Sequence, residues 1–463
     1  MSTYKKPGSY VERVNNIALA SDLPSTAIGG IIGQVVRGVP NKAIKLTSWS
    51  QFENKFAKGI ADPFAFGNVA DAVYGFFQNG GQELYVTRVL ETGSLKASAT
   101  IEDLTFTALE EGTWGNDVTV AITRNALLSR NGDTFNLVVS LQGVKVEEIK
   151  NLTQENFIEV INSTSAYVTV EGETIAEGNG TLTGGKEVTP TVATYKKGLN
   201  SFDVIKDINL LAITGVNLTG VQEALVEYCD TRGTIFPIID AVAEEDLESV
   251  MDYKDKFSSH MGAMYYPRIE IQSPVTGKSK FVSPSGHLMG MYARTDANRG
   301  VHKAPAGLEA TLKGAISVER ELSDTEIGIL NDYEINCIVP KTNSGIVSWG
   351  ARLLKTNGER QFVSDIRLDL YVEESIRRNT EWAVFEPKDE QLFNKVTSQL
   401  TGMLTNMWKE GKFYGSTPEE AFFVQCDADL NPDILSSELH INVGYAKKKP
   451  AEFVITKVSH KSN

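Results

Sequence analysis

Four groups of residues in this chain could do chemistry, and each can be weighed by its spacing. The run Gly180-Thr-Leu-Thr-Gly-Gly-Lys186 has the spacing of a phosphate-cradling loop as far as its lysine. Such a loop then needs a Ser or Thr for magnesium, whereas Glu187 follows here and would set a carboxylate beside the phosphates. No buried strand leads into the run and Pro190 opposes a following helix, so it reads as a turn. His260, His287, His302, His440 and His460 could each supply the base of a Ser-His-Asp triad. No Gly-x-Ser-x-Gly elbow accompanies them, and His302, in Gly-Val-His-Lys-Ala-Pro, fits packing or solvent contact better than catalysis. The acidic runs Glu244-Glu-Asp and Glu373-Glu lack calcium-loop or HExxH spacing and read as solvated helix positions. Cys229, Cys337 and Cys426 have no paired spacing and read as free, buried thiols in a reducing compartment. The Asn-x-Thr triplets at Asn151 and Asn217 are chance matches. The expectation is no catalytic residue, no metal site and no cofactor.

Bulk properties exclude further classes. A chain of 463 residues accommodates roughly two to four domains. Its 41% apolar and 22% charged residues suit packed globular cores. A net charge of −14 argues against nucleic acid or an anionic membrane as the main partner. The opening MSTYKKPGSY has no apolar core of a secretory signal, and Ile28 to Val36 is short and broken by glycines. Nothing approaches the ~20 apolar residues of a membrane helix, so the expected location is a cytoplasm.

The elements follow from periodicity. Ile31 to Val36 reads as a strand, and Ser48 with Gln51 sits at capping-box spacing ahead of Phe52 and Phe56. Val69, Ala72, Val73, Phe76 and Phe77 make one helical stripe that stops at Gly80-Gly81, and Leu84 to Leu90 reads as a buried strand. From about 93 to 197 the chain turns Thr-, Gly- and Asn-rich, with strands at Val118 to Ile122, Phe135 to Leu141 and Tyr167 to Val170 and a short helix near Glu155 to Ile161. Strand–helix alternation then resumes: Leu210 to Thr214, a helix capped by Thr219 with Gln222, Ile235 to Asp240, an acidic helix Glu244 to Phe257, a Ser323/Glu326 capping box, and Ile335 to Val339. Toward the end, Asp365 to Arg378 is a charged helix with Glu373/Arg377 and Glu374/Arg378 at pairing distance. A long helix from Asp389 to Trp408 and strands Ala421 to Cys426 and Glu438 to Ala446 follow.

The fold class expected is α/β, α+β overall. A layered, mostly parallel sheet core carries an inserted β-rich domain and a C-terminal α+β domain. The boundaries are an N-terminal arm 1–24, a discontinuous core 25–92 and 198–355, the insertion 93–197, a C-terminal domain 356–446 and a C-terminal arm 447–463.

The two ends carry strand-forming residues cut off from local partners. They are Tyr10, Val11, Glu12 and Val14, and, beyond Lys447-Lys-Lys-Pro450, Phe453, Val454, Ile455 and Val458. A lone strand leaves its backbone groups unpaired until it finds an edge. Pairing within the chain, fraying, or pairing across chains are all open on composition alone.

Several runs resemble contractile phage tail sheath proteins. They are Pro7-Gly-Ser-Tyr-Val-Glu, Ala27 to Gly38, Leu46-Thr-Ser-Trp-Ser-Gln-Phe, and Ala70-Asp-Ala-Val-Tyr-Gly-Phe-Phe-Gln-Asn-Gly-Gly with Leu84-Tyr-Val-Thr-Arg-Val. Gly112-Thr-Trp-Gly-Asn-Asp, Leu182-Thr-Gly-Gly, Arg299-Gly-Val-His-Lys-Ala-Pro-Ala-Gly and Trp349-Gly-Ala-Arg are also similar, in order along nearly the whole chain. The resemblance implies a structural subunit, not an enzyme, that forms hexameric rings stacked helically around a tail tube. It implies baseplate and tail terminator proteins as further partners, no nucleic acid or membrane, and a place in a virion tail assembled in the bacterial cytoplasm. Chain ends would cross to neighbouring subunits, which favours strand exchange for the two terminal segments. The C-terminal domain would face the tube, making Arg377, Arg378, Lys395 and Lys409 candidates for tube contact. A sheath of a phage-derived bacteriocin or injection system is the alternative, and a subtilisin-like hydrolase, to which the core of such proteins has been likened, a distant one.

Overall fold

In the computed structural model of the chain, the described residues are 22–125, 134–216, 218, 220–241, 246–358, 360–433 and 435–452. They form two compact units. One is Ser25–Tyr371 with the described residues from Lys449 on, the other Val372–Lys448 with those up to Pro24.

In chain order, the larger unit begins with β1 (Gly29–Gly33), β2 (Ala43–Leu46), α1 (Trp49–Phe56), α2 (Val69–Gln78) and β3 (Leu84–Arg88). The insertion supplies β4 (Ser98–Ile101), β5 (Leu104–Ala108), β6 (Val118–Arg124), β7 (Phe135–Leu141), β8 (Val144–Leu152), α3 (Phe157–Thr164), β9 (Val168–Gly172) and β10 (Gly178–Thr181). Then come α4 (Val192–Asn200), β11 (Leu210–Ile213), α5 (Val221–Arg232), β12 (Phe236–Asp240), α6 (Leu247–Lys254) and β13 (Ala263–Tyr266). The unit continues through β14 (Ile269–Gln272), β15 (Ser279–Val282), α7 (Ser285–Arg299), β16 (Ala315–Val318), α8 (Asp324–Asp332), β17 (Ile335–Lys341) and β18 (Gly345–Ser348). The helix α9 (Val363–Thr380) passes the division between the units.

The core sheet runs β18-β17-β13-β12-β11-β1-β3-β2. Its six inner strands are parallel, and β18 and β2 close the two edges antiparallel. Parallel strands are covered on both faces, so their sequences are continuous apolar runs whose successive residues face opposite sides. Ile31, Leu210 and Ala212 join Val73, Phe76, Leu288 and Tyr292 on one face. Ile32, Leu211 and Ile213 join Leu199, Leu225, Val250 and Leu330 on the other. On the first face α2 and α7 pack so closely that a Cβ on Gly286 would lie 2.2 Å from the Ala72 carbonyl oxygen, and one on Gly290 2.3 Å from that of Phe76. Only glycine allows that approach.

Local signals act as read for most of these elements. Ser48 caps α1 by accepting from Gln51 N at 3.3 Å, and Ser323 and Glu326 form the reciprocal box of α8. At α5 the cap differs. The helix starts after Gly220, at φ +88°, and the Gln222 side chain donates to the Ile213 carbonyl at 2.7 Å, so it serves β11 rather than the helix end. Thr219 and residues 242–245 lie outside the described residues, and α6 opens on Asp246, which accepts from Glu248 N and Ser249 N.

The insertion forms two sheets, β4-β5-β9 and β10-β6-β7-β8. Every second residue of β7 is buried, and Phe106, Trp114, Val120, Leu137, Val139, Phe157 and Val170 build their shared core.

In the smaller unit, α10 (Glu390–Lys409) is capped by Asp389, which accepts from Leu392 N at 2.9 Å. It buries Leu392, Val396, Leu400, Met403, Leu404 and Met407, while Trp408 is half-buried. The short α11 (Pro418–Ala421) leads into β19 (Phe422–Gln425), which pairs antiparallel with β20 (Asn442–Tyr445). The last strand is shorter than its alternation from Glu438 predicts. Buried Asn431 explains this: its side-chain amide donates to the His440 carbonyl and accepts from His440 N, occupying the backbone groups a longer ladder would use. Sequence places a domain boundary at 356, whereas the compact units divide at Val372. Val363 and Ile366, on the first turns of α9, are buried in the core cluster of the larger unit.

Candidate functional site

The glycine-rich loop spends its backbone amides within the protein. In the glycine-rich loop, Leu182 N donates to Val118 O, Thr183 N to Ser98 O, Gly185 N to Asn116 Oδ1 at 2.8 Å and Lys186 N to Leu95 O. Amides already spent on the protein cannot cradle a phosphate. Glu187 meanwhile pairs with buried Arg88 at 3.3 Å.

Ser285 and His287 are buried at the start of α7, and buried Asp240 at the end of β12 meets Ser285, but not in a triad's wiring. Fully buried Asp240 accepts from Ser285 N at 2.9 Å, Ser285 Oγ at 2.8 Å and Gly215 N at 3.3 Å, and so caps α7. Burial pushes its carboxyl up to about 6. His287 is buried against Gly75 of α2, its Nδ1 without a partner, and burial pulls it down to about 4. A triad needs the carboxylate on the imidazole and the imidazole on the hydroxyl; here the hydroxyl is on the carboxylate. His260 Nδ1 lies 2.8 Å from the Lys355 carbonyl, His440 pairs with Glu438 at 3.4 Å, and His460 lies outside the described residues. Cys229, Cys337 and Cys426 are buried free thiols, each with its pKa raised by burial, Cys337 to about 12.

Residues 22–26 and 447–452, by contrast, are held by side-chain contacts. The terminal candidates themselves (Tyr10, Val11, Glu12, Val14, Phe453, Val454, Ile455 and Val458) lie outside the described residues. In the smaller unit, Asn379 donates to the Asp22 carbonyl at 3.0 Å and Arg378 approaches the Asp22 carboxylate at 3.6 Å. In the same unit Phe413 bridges Lys447, and Lys448 Nζ donates to the Gly411 carbonyl at 2.7 Å. In the larger unit, buried Arg367 donates to both oxygens of Asp296, whose side chain is 4% exposed, at 2.8 and 2.6 Å, and to the Thr26 carbonyl at 2.6 Å. Burial alone would lower this arginine's pKa, but Asp296 raises it. Arg352 grips Glu452 with a bidentate pair, at 2.9 and 2.5 Å, to which Asn331 adds a third donor at 3.2 Å. Lys449 Nζ donates to the Gly358 carbonyl at 3.1 Å. Sequence reasoning missed Arg367, Asp296, Arg352 and Glu452. The one local hint was an arginine set between Ile366 and Leu368 on a helix that buries both.

The four basic candidates of the smaller unit are separately placed. Arg377 pairs with Glu374 at 2.7 Å and approaches Glu381 at 4.0 Å, while Arg378 shares Glu374 at 2.8 Å. Glu374 is thereby gripped from i+3 and i+4, which lowers its pKa. Lys395 stands 3.8 Å above the Trp382 ring. Exposed Lys409 borders a depression of about 240 Å³ with Leu23, Met403 and Met407.

A Pseudomonas aeruginosa (strain UCBPP-PA14) protein named putative prophage major tail sheath protein is 25% identical over 213 residues, 44% of this chain and 53% of that protein. The match thus spans about half that relative's length. No family model matches the chain. Among solved structures, the sheath tail protein of Desulfitobacterium hafniense superposes with a TM-score of 0.71 at 13% identity, over 95% of this chain and 100% of that one. The chain has the contractile-tail sheath fold. A subunit of the sheath complex of an extracellular contractile injection system (PVC), solved in its contracted state, shares the fold at a TM-score of 0.64 and 20% identity, over 100% of this chain and 99% of that one. The sheath-fold likeness therefore runs through the core, the insertion and the C-terminal unit alike.

Proposed function

We propose that this chain is the structural subunit of a contractile tail sheath. It polymerises as stacked hexameric rings around a tail tube and shortens to drive that tube through a target envelope. The observation that carries this reading is full-length fold likeness to a sheath solved in a contracted assembly, joined by a sequence relative named as a prophage tail sheath protein. Contraction requires many interfaces with a lower-energy second arrangement and connections that survive the change. The terminal segments supply those connections as intersubunit strands, through Tyr10, Val11, Glu12 and Val14 at one end and Phe453, Val454, Ile455 and Val458 at the other. The fastened roots at Thr26 and Glu452 support that role, since a linking strand transmits force only if its base is held.

The division of labour follows the same reading. Residues 25–92 and 198–355 form the core, 93–197 an inserted domain, and 356–446 a domain facing the tube, with Arg377, Arg378, Lys395 and Lys409 as tube-contact candidates. The partners are further copies of the chain, the tube protein, and baseplate and terminator proteins. The product is a tail particle assembled in a bacterial cytoplasm, and the chain catalyses nothing. Phage tail and phage-derived injection device are chemically equivalent here, and the presence or absence of neighbouring capsid genes separates them. Electron microscopy of the purified full chain, with and without its tube partner, tests the proposal. Ringed or helical tubes are expected; a monomer under every condition would overturn it.

A further inference from the structure

The insertion is joined to the core through two neighbouring chain passages. On the way in and on the way out they pair as a narrow ribbon. Leu95 and Lys186 exchange backbone hydrogen bonds at 2.8 and 3.0 Å, and Ser98 and Thr183 do the same. A two-strand ribbon by itself is a hinge, because nothing off its axis resists rotation. Marginal stability is typical of isolated two-stranded pairs.

Two buried arginines stand off that axis. Arg37, 3% exposed, lies just past β1. Its Nε and Nη2 donate to Glu110 of the insertion at 3.1 and 2.9 Å, its Nη2 to the Ala166 carbonyl at 2.5 Å, and its Nη1 back to Lys58 O of the core at 3.0 Å. Its guanidinium sits 4.1 Å from the Trp114 ring centre and 4.8 Å from that of Tyr167, both rings belonging to the insertion. Arg88, fully buried at the end of β3, donates from Nη1 to Gly38 O of the core at 3.0 Å. From Nη2 it donates to Glu111 O at 2.8 Å and Glu187 at 3.3 Å. Each guanidinium thus donates from Nη1 to the core and from Nη2 to the insertion, joined in Arg37 by Nε, a spread that the planar fork of arginine fixes in place. Apolar contact extends the same seam: Val36, Ala57 and Ile60 are buried in the insertion's core cluster.

We propose that Arg37 and Arg88 form a latch that locks the insertion to the core, so that the larger unit moves as one body. Without the latch, the Leu95/Lys186 ribbon becomes a working hinge. This inference concerns the chain itself and holds whether or not it assembles into a sheath. If it does assemble, the insertion is carried rigidly with the core, and the moving joints of contraction lie at other places.

Hydrogen–deuterium exchange read by mass spectrometry on the full-length chain tests the latch. The variants are Arg37→Met, which removes every polar arm, and Glu110→Gln, which removes only the charge of one partner. Peptides spanning 93–99 and 183–188 should exchange about tenfold or more faster in Arg37→Met, in line with losing charged hydrogen bonds, and by a smaller factor in Glu110→Gln. Peptides from β11 and β12 should stay as in the native chain. Unchanged ribbon exchange in both variants would overturn the latch. So would native ribbon amides that exchange as freely as unfolded peptide. A uniform rise over the whole larger unit in both variants would also overturn it, because Arg37 would then be a core residue and not a joint.

Discussion

Replacing Gly290 by alanine should destabilise the larger unit, although the same change in a helix interior normally does the opposite. In a helix, alanine is better than glycine by about 1 kcal/mol, because glycine loses more backbone freedom on folding. At Gly290 the new Cβ would stand 2.3 Å from the Phe76 carbonyl oxygen and 2.8 Å from Asn79 Cβ. The nearest atom is backbone, held by a hydrogen bond from Gly81 N at 2.9 Å where the chain leaves α2, so no side chain can swing aside. Asn79 is equally fixed. Its amide donates to the Gly75 and Lys313 carbonyls, its Oδ1 accepts from Lys313 N at 2.8 Å, and Arg294 donates to its carbonyl at 2.8 Å. Relief must therefore come from separating α2 and α7, and overpacking of that kind costs about 1–3 kcal/mol. Set against the propensity gain, the net expectation is a loss of about 1 kcal/mol, reaching roughly 2 kcal/mol at the upper end of the overpacking range. Gly328, on α8, is the internal control: nothing lies within 4 Å of a Cβ there. Gly328→Ala should stabilise by roughly 0.5–1 kcal/mol. Urea unfolding followed by far-ultraviolet circular dichroism compares the two midpoints with the native one, and they should move in opposite directions. If Gly290→Ala raises the midpoint as Gly328→Ala does, the close-packing account of α2 and α7 is wrong.

Other outcomes can be checked in parallel. His287 is held at about 4 against an ordinary value of 6.5, so the unfolded chain takes up its proton first as pH falls. Its contribution of about 3 kcal/mol is therefore complete above about pH 6.5 and lost between there and about pH 4, and native-minus-His287→Leu stability should rise with pH across that window. Asp240, raised to about 6, has the opposite sign: the folded chain takes the proton first, and native-minus-Asp240→Asn stability should fall as pH rises from about 4 to about 6. Urea midpoints across about pH 4 to 8 read both slopes. Arg367→Met leaves the buried Asp296 side chain without its ion-pair partner, with a loss of about 3–5 kcal/mol, measurable as a lowered unfolding midpoint. Truncation after Lys449 should abolish polymerisation seen by electron microscopy while leaving the circular dichroism of the chain intact. Cys229 and Cys337, buried with raised pKa values, should react with a thiol reagent only once the protein is unfolded.

Much of this protein was legible from one dimension. The stripe from Val69 to Phe77, the Ser323/Glu326 cap, the alternation of β7 and the apolar runs of β11 and β12 are local patterns. They report which face of an element will meet a core, whatever that core turns out to be. Together they determined a mostly parallel layered sheet, a β-rich interruption and an α+β end. The glycine-rich loop could likewise be weighed before any coordinates, because Glu187 stands where a phosphate loop needs Ser or Thr, whereas the wiring of the histidines is a matter of geometry. What tertiary structure alone decided are the long-range polar contacts: Arg367 with Asp296 and Thr26, Arg352 with Glu452, Arg37 with Glu110 and Ala166, and Asn431 cutting β20 short. A buried charge is tolerated only where its partners converge, and convergence is a property of packing with no periodic trace in the chain. For the same reason the residues that hold Thr26 and Glu452 could be found only in the folded molecule.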